Sequence, residues 1–131
     1  MKFIINKTVY NVFKPYPKNE KISMEMMVKF GSGKKDVSQR AFFVELNIEC
    51  KDGETEIETR DLFIDARLNY TLDKTKFKDL DDKEMEEDNK YFIELLNRLN
   101  KAIKGITSLD DVLRPLDIER AIKKYKKEKG D

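Results

Sequence analysis

A chain of 131 residues fits one domain that buries about 68% of its unfolded surface, and there is not enough of it for two cores. Hydrophobic residues make up 39% and charged residues 40%, too apolar for disorder and too polar for a membrane span. The net charge of +1 hides an uneven distribution along the chain, and the absence of histidine removes the usual general base and the commonest zinc ligand.

The N-terminal Met1-Lys2-Phe3-Ile4-Ile5-Asn6-Lys7 has no apolar stretch before a small-residue cleavage site, which predicts a soluble cytoplasmic protein. Residues 3–13 read as a first strand, with Phe3, Ile5, Val9 and Phe13 on one face and Ile4, Tyr10 and Val12 on the other. Two apolar faces predict a neighbour on each side. Lys14-Pro15-Tyr16-Pro17-Lys18-Asn19-Glu20 then reads as a loop, because proline cannot donate a ladder hydrogen bond.

Residues 22–30 alternate cleanly, Ile22, Met24, Met26, Val28 and Phe30 against Ser23, Glu25, Met27 and Lys29, as a half-buried antiparallel strand does. Gly31-Ser32-Gly33-Lys34-Lys35-Asp36 reads as the connection to a third strand, residues 41–50, where Phe42, Val44, Leu46, Ile48 and Cys50 alternate with Phe43, Glu45, Asn47 and Glu49. Phe43 is the apolar outlier on the polar face. Lys51-Asp52-Gly53-Glu54 reads as a tight turn in which Gly53 is free to take positive φ. Residues 55–72 return as a fourth strand with Leu62, Ile64, Ala66, Leu68, Tyr70 and Leu72 in register, and a phase change predicts a bulge between Thr59 and Asp61.

Residues 73–88 form an acidic connector: 73–89 carry 4 basic and 8 acidic residues, against 11 and 7 in 90–131. From Asn89 the period is helical, with Phe92, Leu95, Leu96, Leu99, Ala102 and Ile103 in one stripe and Gly105 at a C-cap. Ser108 caps a short turn, Pro115 ends it, and Asp117 caps a last helix towards the basic Lys123-Lys124-Tyr125-Lys126-Lys127. The whole predicts an α+β domain over 1–131: strands across 3–72 in an antiparallel meander, then helices across 89–127, one long and one short.

Catalytic chemistry is scarce. The acid pairs Asp81-Asp82 and Glu86-Glu87 sit in the solvated connector, and Asp110-Asp111 suits a helix N-terminus. Gly31-Ser32-Gly33-Lys34 departs from the phosphate-loop pattern, with Val28 and Lys35 where a glycine and a hydroxyl belong. Cys50, the one cysteine, has no partner for a disulfide or metal set. The basic tail suits a solvated helix end or a nucleic-acid contact, and a solvated end is the plainer of the two. Met24, Met26, Met27 and Phe30 cluster on one strand, as core or as an adaptable apolar surface. The sheet carries more apolar surface, at Met27, Phe43 and Phe63, than one helix covers, which predicts self-association.

The order of elements, closed by Leu113-Arg114-Pro115-Leu116-Asp117-Ile118, resembles the SecB-like protein-export chaperones over nearly the whole chain. Phe3 to Phe13 is similar to that family's first strand, Phe42 to Cys50 to its third, Asp52-Gly53-Glu54 to its hairpin, and Leu68-Asn69-Tyr70 to its fourth strand. The resemblance implies a homotetramer built as a dimer of dimers, without cofactor, ATP or enzymatic activity, that holds unfolded clients in apolar grooves between sheet and helix. It places Phe43, Phe63, Leu68 and Tyr70 from the sheet, with Phe92, Leu95 and Leu99 from the helix, as client-binding candidates, each of which serves equally well as core. Tyr10 and Lys14 stand where the family's acidic motor-docking surface has acids, which leaves export or the guarding of an antitoxin as alternatives. A structural or adaptor protein with one dedicated partner is the competing expectation.

Overall fold

A computed structural model of the chain describes residues 1–13, 22–36, 38–72, 80–107 and 118–129. It holds strands β1 (Lys2–Val12), β2 (Ile22–Lys34), β3 (Gln39–Asp52) and β4 (Glu58–Thr71), followed by helices α1 (Leu80–Ile106) and α2 (Ile118–Glu128). The strands form one antiparallel sheet in the order β1-β4-β3-β2. Consecutive β2, β3 and β4 make the expected meander, and β1 lies against the far side of β4.

Among the described residues β1 therefore has one strand neighbour where its two apolar faces predicted two. The reason is a bulge: Ile5 pairs with Ala66 and Lys7 with Asp65, so Asn6 is extra and the alternation shifts phase. Phe3 and Ile5 share the face of Leu68 and Ala66. After Asn6 it is Thr8, Tyr10 and Val12 that share the face of Ile64, Leu62 and Arg60, while Val9 moves to the other side with Phe63. The anticipated β4 bulge is present at Thr59, since Cys50 pairs with Arg60 but Lys51 with Glu58. The Thr59 hydroxyl donates to the Cys50 carbonyl at 3.2 Å, satisfying a buried polar group beside the irregularity.

Two connections differ from the sequence expectation. Gly31-Ser32-Gly33-Lys34 belongs to β2, and the turn is made one step later, where the Asp36 carboxylate accepts from the Ser38 and Gln39 amides at 2.8 Å each. Those amides hold the Asp36 carboxyl below its usual range. In the β3–β4 turn Glu56 carries the positive φ of 58°, and its amide donates to the Asp52 carbonyl at 2.9 Å.

One sheet face is the core. Val44, Leu46, Ile48, Leu62, Ile64 and Leu68 are buried beneath Leu95, Leu99 and Ile103 of α1 and Ile118 and Ile122 of α2. Burying each such side chain contributes roughly 1.5–3 kcal/mol before the entropy of ordering is subtracted. α1 lies over β4 and β1, and α2 over β2. α1 starts at Leu80, ahead of the Asn89 predicted, so the second half of the acidic connector is helix. Acid-rich sequence suits a helix N-terminus through the macrodipole. The helix also passes through Gly105 to Ile106, and Thr107 closes it by returning both its amide and its hydroxyl to the Ile103 carbonyl. The Lys14–Glu20 loop, the Ser108 and Asp117 caps and all of the Leu113-Arg114-Pro115-Leu116-Asp117-Ile118 run except Ile118 lie outside the described residues.

Candidate functional site

The candidates separate into two groups on opposite sides of the sheet. Leu68, Leu95 and Leu99 are fully buried, so between sheet and α1 the space predicted as a groove is filled by the protomer's own core. Tyr70 is also buried. Its hydroxyl donates to Asp88 at 2.7 Å, its ring stacks on Tyr91 with centroids 4.4 Å apart, and burial followed by the Asp88 carboxylate pushes its phenol well above the usual range. Phe92 meets Phe30 and Phe42 edge-on at 5.6 and 5.9 Å, which closes the core beneath the sheet margin.

Phe43 and Phe63 face the other way. The register aligns Met27, Asn47, Phe63 and Val9 as one row across the outer face, and Gly31, Phe43, Arg67 and Ile4 as another. Between them runs the charged row Lys29, Glu45, Asp65 and Lys7, with Lys29 and Glu45 4.0 Å apart in solvent. Beyond the Met27 row stand Glu25, Glu49, Asp61 and Asn11. Burial, with Asp61 and Glu49 nearby, raises the Glu58 carboxyl above its usual value. Met27 is 56% and Phe43 45% exposed, large apolar side chains left in water beside charges.

The Met27 row continues around the β2 edge into a groove lined by Met26, Met27, Phe63, Ala121, Lys124 and Tyr125. Its wall is α2, which the buried Ile118 and Ile122 fasten to the sheet. Lys126 adds a second fastening, its ammonium 4.7 Å from the Phe30 ring centroid and 5.5 Å from that of Phe92. Only Phe63 of the predicted candidates belongs to this groove. The methionine cluster was its sequence signal, and Met27, apolar on the polar side of an alternating strand, was the sharpest part of it. Nothing in the alternation places Tyr125 opposite, because that follows from how α2 docks.

The groove offers adaptable thioethers, an aromatic ring and, as an end strand of the sheet, a β2 edge without a strand partner among the described residues. These features suit an extended apolar peptide. Among the described residues no group of three or more His, Cys, Asp or Glu side chains is placed to hold a metal ion, and no helix is long and apolar enough to cross a membrane.

The sequence matches no family model and no curated protein. A solved structure is similar in fold: the SecB-like chaperone of Mycobacterium tuberculosis in complex with a ChAD peptide from an antitoxin, with a TM-score of 0.61 at 8% identity, covering 82% of this chain and 79% of that one. The agreement extends to a four-stranded antiparallel sheet with one long and one short helix, so this chain has a SecB-like α+β fold.

Proposed function

We propose that the protein is an ATP-independent holdase that binds unfolded polypeptides through apolar surface, without enzymatic activity of its own. The observation that carries this reading is the methionine-lined groove at the β2 edge, continuous with exposed Met27 and with Phe63 on the outer sheet face. Burial of client Leu and aromatic side chains there gains about 25 cal/mol per Å² of apolar area, and the strand edge supplies main-chain hydrogen bonds. Many such contacts hold clients with little selectivity. The chaperone of similar fold was solved with an antitoxin peptide, which makes antitoxin protection, alongside export, a natural client role for this chain.

Assembly is part of the proposal. Among the described residues no strand pairs with the outer edge of β1, which exposes Ile5, Val9, Val12 and Phe13, an apolar border suited to a second copy. A homotetramer arranged as a dimer of dimers is the expected state. Size-exclusion chromatography with light scattering, alone and with a reduced, permanently unfolded client, tests both points. A species of four subunits that co-elutes with client and slows its aggregation is expected; a monomer that leaves aggregation unchanged would sink the holdase.

A further inference from the structure

The second apolar row of the outer face borders a hollow that the groove does not use. Gly31, Phe43, Arg67 and Ile4 stand in one row and Gly33, Ala41, Asn69 and Lys2 in the next, so three of the eight positions carry no side chain or only a methyl. A Cβ on Gly33 would lie 3.2 Å from the Phe43 ring, which therefore leans across the β2 backbone, whereas a Cβ on Gly31 would meet nothing within 4 Å. The cavity is lined by Phe43, Arg67, Asn69, Lys2, Lys34 and Lys35 among others, and no carboxylate lines it. Among the described residues Lys2, Lys34 and Arg67 enter no ion pair, and the Arg67 Nε is buried without a hydrogen-bond partner. A buried guanidinium donor without an acceptor is costly, and a planar oxyanion is the group that matches its fork.

We propose that this hollow is a selectivity site for acidic peptide segments, in which a Glu or Asp carboxylate sits on Arg67 and Lys2, which share the outer face, while the neighbouring apolar side chain covers Phe43. It rests on the polypeptide-binding reading above and adds a preference to it. One observation favours a peptide over another polyanion. Gly33 lies on an end strand of the sheet, whose outer edge has no strand partner among the described residues, so an extended polypeptide can pair with its main chain there. One row from Phe43, the opposed Glu45 and Asp65 stand beside Lys29 and Lys7, so that row is neutral and the cationic character is confined to the hollow. The site therefore takes a short anionic stretch whose apolar neighbour covers Phe43, a group that a phosphate backbone does not carry.

The test is fluorescence anisotropy with a labelled ten-residue peptide holding a central Phe between two Glu, against the same peptide with Gln in their place and a ten-nucleotide thymidine strand. The Glu peptide is expected to bind at least tenfold more tightly than the Gln peptide at low salt, and Arg67→Gln or Lys2→Gln to bring the two within about twofold. Ala41→Leu, which adds bulk to the hollow without changing charge, should weaken the Glu peptide as well. Circular dichroism confirms that each variant is folded, and Lys2→Gln decides the matter if Arg67→Gln is not. Equal binding of the two peptides by a protein that still holds a denatured client overturns the selectivity site and leaves the holdase standing. Loss of both peptides and of the client removes the holdase too, and an oligonucleotide bound as tightly as the Glu peptide makes the hollow a general anion site and overturns the proposal.

Discussion

Arg40 on β3 and Asp88 on α1, 48 residues apart, meet at 2.6 Å, and the same carboxylate accepts the Tyr70 hydroxyl at 2.7 Å. The Arg40 side chain is 6% exposed and that of Asp88 30%, so the pair sits at the border of the core. It ties the first turns of α1 to the sheet at a point where Leu95 and Leu99 do not reach. Its geometry explains why the helix is ordered well before its apolar stripe begins.

Removing the carboxylate takes a charge-assisted hydrogen bond from a buried guanidinium and from the Tyr70 hydroxyl. Asp88→Ala is expected to cost about 2–3 kcal/mol, the worth of charge-assisted hydrogen bonds lost from a partly buried site. Urea denaturation compared with wild type measures it, and a change below about 0.5 kcal/mol would show that the pair is a passive surface contact.

Tyr70 gives the fold an alkaline limit. Its phenol is raised from 10.0 in the folded state, so the native protein holds a proton that the unfolded chain releases, and the contribution is complete below pH 10 and lost as the pH rises beyond it. Thermal melts from pH 8 to 11 should show Tm falling above pH 10 for the wild type and a shallower fall for Tyr70→Phe. Parallel curves would assign the loss to other groups.

Glu56 holds a left-handed conformation that glycine adopts freely. Glu56→Gly should stabilise the hairpin by about 0.5–1 kcal/mol, measurable as a raised urea midpoint at unchanged m-value. A lowered midpoint would mean that the side chain itself holds the turn.

Gly105 lies inside α1, exposed, with open space where an alanine methyl would point. Gly105→Ala should add about 0.5–1 kcal/mol because alanine loses less backbone entropy in a helix. Destabilisation would instead indicate that the glycine acts as the cap anticipated from the sequence.

Leu99 and Phe43 separate the core from the exposed outer face. Leu99→Ala removes a fully buried side chain and should cost roughly 2–5 kcal/mol, the usual range for such cavities, whereas Phe43→Ala at 45% exposure should cost under about 1 kcal/mol yet weaken client capture. Paired measurements of stability and of client aggregation check the contrast. Equal effects on stability would place Phe43 in the core.

Strong alternation made β3 and β4 legible because one face is apolar from Phe42 to Cys50 and from Leu62 to Leu72, and the stripe from Phe92 to Ile103 did the same for α1. The β4 bulge was legible too, because an extra residue in a half-buried strand leaves a phase error at Thr59. Asn6 did not give itself away: with apolar residues on both sides of it, a shifted phase looks like a strand buried on two faces. The start of α1 was hidden for a different reason, since its first turns are fastened by Asp88 to Arg40 and Tyr70, and periodicity carries no record of a polar contact made 48 residues away.

The candidate residues were legible as a set of apolar side chains, and the structure divides that set between the core and the outer face. Phe43, Phe63 and Met27 stood out as apolar side chains among charges, and these do face solvent or line the groove. Leu68, Leu95 and Leu99 could not be told from binding residues, because packing within a protomer and packing onto a client demand the same side chains.

By itself the sequence determined the elements, the core face of the two central strands and the lack of histidine-based chemistry, all of them consequences of local period and composition. Tertiary structure alone decided that β1 joins β4, that α2 walls the β2 edge, and that Gly33, Ala41, Phe43 and Arg67 line one hollow. Strand order and helix docking are set by the sum of many distant contacts, and no single stretch of chain encodes that sum.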